Sequence, residues 1–120
     1  MTDEEFVQAF ESCELPPEAF HHRDHIRLAR IYLDRLGLEA ATARFVESLR
    51  RFARHIGKSD KYHETMTVAW MRIVAGSGRD EAALLDKEYL YRFYSRELLD
   101  SQAARVGFVE PDVNSLPGGN

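Results

Sequence analysis

Four of the chain's five histidines gather in two short segments, Phe20-His21-His22-Arg23-Asp24-His25 and Lys61-Tyr62-His63-Glu64-Thr65-Met66-Thr67. Residues three or four apart share a helix face, so His22 and His25 continue the inward stripe of Ala29, Tyr32, Leu33 and Leu36. By the same rule His63 heads a line through Thr67, Trp70 and Val74. Two stripes headed by histidine could meet at one end of a helical bundle, and neutral imidazole is the commonest protein ligand for transition metals. The expectation is therefore a metal centre, Zn, Fe or Ni, held by His22, His25 and His63 with one position open to water or a small-molecule ligand. Glu64 is then the candidate acid or base of a hydrolase, lyase or oxygenase, and Tyr62 beside it is a second possible proton carrier. Asp24 or Glu14 could add an oxygen ligand or orient an imidazole, while His21, Thr67 and Trp70 flank the pocket.

Other readings of the same residues need no metal. Histidines at helix starts can bond loop carbonyls and cap neighbouring helix ends, which would make the chain a non-catalytic interaction or structural module. Protonated histidines at helix N-termini could instead bind an anionic metabolite. His21 lies out of the inward phase and His55 sits where a cation favours a helix C-terminus, so both read as structural. Thr67 reads as a hydroxyl bonding back to a helix carbonyl. Cys13 reads as a small hydrophobe, and Tyr32, Trp70, Tyr89, Tyr91, Phe93 and Tyr94 read as core.

The elements that would position these groups are helical. Thr2 and Glu5 have capping-box spacing ahead of a helix to about residue 12, stopped by Pro16-Pro17. Apolar periodicity predicts helices over 22–36 and 38–56, each closed by a glycine, Gly37 and Gly57. Ser59 and Asp60 are candidate caps of a fourth helix ended by Gly76-Ser77-Gly78. Asp80 is the candidate cap of a fifth helix carrying Leu84, Leu90 and Phe93, and Ser95 starts a short sixth containing Leu98, Leu99 and Ala103. Residues 107–112 read as an extended tail that packs Phe108 and Val109 back on the bundle, an anchor before a lid, and 115–120 as frayed. The fold class expected is all-α, one compact domain over 1–120, a bundle of five to six helices with an extended C-terminal tail.

Composition narrows the function classes. At 120 residues, with 44% hydrophobic and 30% charged residues, the chain can bury a core without staples. A net charge of -4 argues against nucleic acid, and the short Arg50, Arg51 and Arg54 cluster reads as a solvated helix face. No apolar run approaches the roughly 20 residues of a membrane span. A single cysteine and no signal-like N-terminus point to a reducing compartment, the cytoplasm. An apolar face on the last helices would suit a homodimer.

The two histidine segments, together with Gly57, Tyr94-Ser95-Arg96-Glu97-Leu98-Leu99 and Phe108-Val109-Glu110-Pro111-Asp112, carry a resemblance. In these the chain resembles a group of small uncharacterised bacterial all-helical proteins with F-x-H-x-x-H and Y-H-E-T segments. The resemblance covers most of the chain, implies no established activity, and implies that His22, His25 and His63 act as one unit.

Overall fold

The computed structural model describes residues 1–76 and 81–117. Their regular structure is helical, with no strand among them. They divide into two compact units, Met1–Tyr62 and His63–Asn120, which places His22 and His25 in the first and His63 and Glu64 in the second. The expected Gly76-Ser77-Gly78 stop and Asp80 cap fall largely, and residues 118–120 wholly, outside the described residues.

The first unit is built on three helices, α1 (Asp3–Glu11), α2 (His22–Leu36) and α3 (Leu38–His55). Thr2 and Glu5 cap α1 reciprocally, at 2.8 and 3.1 Å, satisfying two donors that the helix cannot satisfy itself. Pro17–Ala19 forms a single 3₁₀ turn before α2. Gly37 alone joins α2 to α3, and its φ of 79° explains a glycine there, since a side chain would be strained. Phe6, Phe10, Ile26, Leu28, Ala29, Tyr32, Ala41, Phe45 and Phe52 fill the interior, each large side chain stabilising the unit by about 2 kcal/mol on burial. Arg27 ties α2 to α1 by bonding Asp3 at 3.0 Å while its guanidinium lies over Phe6, 4.5 Å from the ring centre.

The end of α1 carries a backbone conformation rare for its residue type. Cys13 has φ 64°, and the reversal lets the amides of Glu14 and Leu15 both reach the Ala9 carbonyl, at 2.9 and 3.0 Å. The left-handed region costs a side-chain-bearing residue roughly 1–2 kcal/mol, partly offset by the extra unfolded-state freedom of glycine. Cys13→Gly is therefore expected to raise stability by about 0.5–1 kcal/mol, read as a higher urea midpoint at unchanged slope.

In the second unit the helices are α4 (Glu64–Gly76), α5 (Glu81–Leu85), α6 (Arg96–Leu99) and α7 (Gln102–Val106). Three boundaries differ from the periodicity-based expectation, each because a polar side chain captures a backbone amide. Ser59 and Asp60 do not cap α4 but belong to a 3₁₀ turn, Ser59–Lys61, and α4 begins after His63. The expected fifth helix breaks at Asp86, whose carboxylate accepts from Glu88 N–H at 3.0 Å and starts a 3₁₀ segment, Lys87–Arg92. The expected sixth is two helices, because Ser101 caps the amide of Ala104 just as Ser95 caps that of Leu98.

Helix α4 also departs from a single inward stripe. Thr65, Thr67, Ala69, Met71, Ile73 and Val74 are buried around most of its circumference, whereas Trp70 is only partly covered. A helix apolar on most sides is an interior element. In the tail, Leu116, expected to fray, is buried. No helix of the described residues is long and apolar enough to cross a membrane.

Candidate functional site

His25 lies inside an aromatic cluster of the first unit, as its helical phase requires. Its ring stacks on Phe20 with centroids 4.1 Å apart and meets Phe45 edge-on at 6.4 Å. Phe20 in turn stacks on Phe10 at 4.7 Å and touches Phe52 edge-on at 5.5 Å. Burial in this cluster, aided by neighbouring His22 and opposed by Asp24, lowers the His25 pKa from 6.5 to about 4. The imidazole is thus neutral at pH 7. Asp24 has a backbone role as well, its carboxylate accepting the His21 N–H at 2.9 Å to close the first turn of α2. Glu14 accepts from the Ser12 hydroxyl at 2.8 Å.

His63 is buried and has both ring nitrogens engaged. Nδ1 accepts the Met66 N–H at 3.1 Å, making His63 the cap of α4. With Nδ1 an acceptor, the neutral ring carries its proton on Nε2, which donates to the Leu99 carbonyl at the end of α6, at 2.7 Å. The residue's own carbonyl accepts the Thr67 hydroxyl at 2.8 Å, the back-bonding expected of Thr67. One ring therefore ties the start of α4 to the end of α6, and no lone pair is left for a metal unless the cap breaks. Among the described residues no three His, Cys, Asp or Glu side chains are grouped so as to hold a metal ion. Glu64 and Tyr62 adjoin His63 in sequence and are partly exposed, Tyr62 lying under the Arg50 guanidinium at 5.6 Å. His55 is exposed in the last turn of α3.

Two polar constellations escaped the sequence reading. In the first unit, the buried Tyr32 hydroxyl donates to Glu11 at 2.6 Å and lies 3.3 Å from Ser48 Oγ. Arg44 grips the same carboxylate with two bonds of 3.0 Å. Burial pushes the Glu11 pKa up, but the bonds from Arg44 and Tyr32 outweigh it and hold the carboxyl below its ordinary value. Burial and then Glu11 push the Tyr32 phenol far above its usual range. Such a pair works as a link between α1, α2 and α3, not as a proton donor near neutrality. Ser48 carried the one available signal, a polar residue between Phe45 and Phe52 on an apolar stripe. Tyr32→Phe is expected to cost about 1–2 kcal/mol in urea unfolding, and to bring the Glu11 carboxyl nearer its ordinary value by carboxylate NMR titration.

In the second unit Thr65 is fully buried and bonds the tail twice, donating to the Gly107 carbonyl at 2.8 Å and accepting the Val109 N–H at 3.1 Å. Tyr94 donates to the Val109 carbonyl at 2.7 Å. Burial, then the nearby Glu110 charge, raises that phenol to about 12. Nothing in the spacing of Thr65 or Tyr94 announces these partners, because they lie 42 and 15 residues away.

Fold and side-chain geometry thus define an all-helical protein with a capping histidine in one unit and an aromatic-bound histidine in the other. No protein-family profile matches the chain, and no curated protein or solved structure matches it either.

Proposed function

We propose that the chain is a non-catalytic helical interaction module in which the histidines are structural. The observation that carries this reading is the His63 ring, whose two nitrogens are spent on the Met66 amide and the Leu99 carbonyl. The aromatic setting of His25 supports it: a neutral ring stacked on Phe20 is a packing element. Net charge -4 and the dispersed arginines favour a protein or peptide partner over nucleic acid, and the lone Cys13 suits a reducing cytoplasm.

The test is metal stoichiometry. Purified wild type and the His63→Ala variant, each exposed to Zn, Fe or Ni and then desalted, should retain the same sub-stoichiometric metal. One equivalent in wild type that disappears in His63→Ala would overturn the reading and restore a His22, His25 and His63 centre with Glu64 as acid or base.

A further inference from the structure

We draw no further inference here: the strongest candidate, the acidic hollow beside α1 lined by Glu4, Glu5, Gln8, Ala9 and Glu14, carries nothing because its three carboxylates already accept from Arg35, the Thr2 N–H and the Ser12 hydroxyl, and among the described residues no second feature points to a ligand there.

Discussion

His63→Ala is expected to lower the unfolding free energy by about 3 kcal/mol, and the loss should be insensitive to added metal. Three effects contribute: a helix cap worth about 1 kcal/mol, a Leu99 carbonyl left without its partner at about 1–3 kcal/mol, and the cavity left by the ring. They share one side chain and do not sum, which sets the figure near the middle of the range. His63→Asn separates the first effect from the others. Asparagine is a good cap but too short to reach Leu99, so it should recover about 1 kcal/mol of the loss. Urea unfolding followed by the fluorescence of Trp70, the only tryptophan, reports on the unit that contains His63. If wild type gained stability with added Zn or Ni while His63→Ala did not, binding to the native state would be the cause and the structural role would fall.

Acidification from pH 6.5 to 4 should cost the first unit about 2–3 kcal/mol through His25 alone. In the unfolded chain this imidazole takes up a proton near its ordinary pKa of 6.5, whereas in the fold it does so only at about 4. Between those values the unfolded state holds more protons, so stability falls as pH falls, then levels off once both states are protonated. At 1.36 kcal/mol per pKa unit, the full shift less the half-titration at each end of this window gives the upper figure, and solvent screening of a half-buried ring gives the lower. Replacing His25 with phenylalanine keeps the stack on Phe20 and removes the titration. At pH 7 the variant should lie within about 1.5 kcal/mol of wild type, and at pH 4 it should be relatively more stable by about 2 kcal/mol. Glu11 works in the same direction, but its stabilising charge is lost at lower pH, as the solution passes through its depressed pKa, and it is unchanged in the variant. Circular dichroism of urea unfolding at pH 7, 5.5 and 4 checks this. A His25→Phe curve with the wild-type slope would show that another group drives the acid loss.

The two histidines show how far residue spacing reaches. A 3.6-residue period turns position 25 inward, and its ring lies against Phe20 and Phe45. The same period turns His63 inward, and it is buried, but burial alone does not say what an imidazole does there. Its role came from two bonds, one to an amide three residues along and one to a carbonyl 36 residues away. The first is local and matches a cap. The second depends on where α6 ends, and that end is set by Ser101 capping the next helix.

The same division runs through the whole chain. Helix content, the Thr2 and Glu5 capping box and the glycine-closed helices α2 and α3 were legible because they rest on contacts within a few residues, where spacing and geometry are tied together. Boundaries in the second unit were harder, since Asp86 and Ser101 compete with the helix ladder and a hydrophobic period does not register that competition. The Glu11, Tyr32 and Arg44 link and the Thr65 clasp on the C-terminal tail were decided only in three dimensions. Hydrogen bonding acts over about 3 Å in space and is blind to separation along the chain, so only the folded packing chooses which distant groups meet.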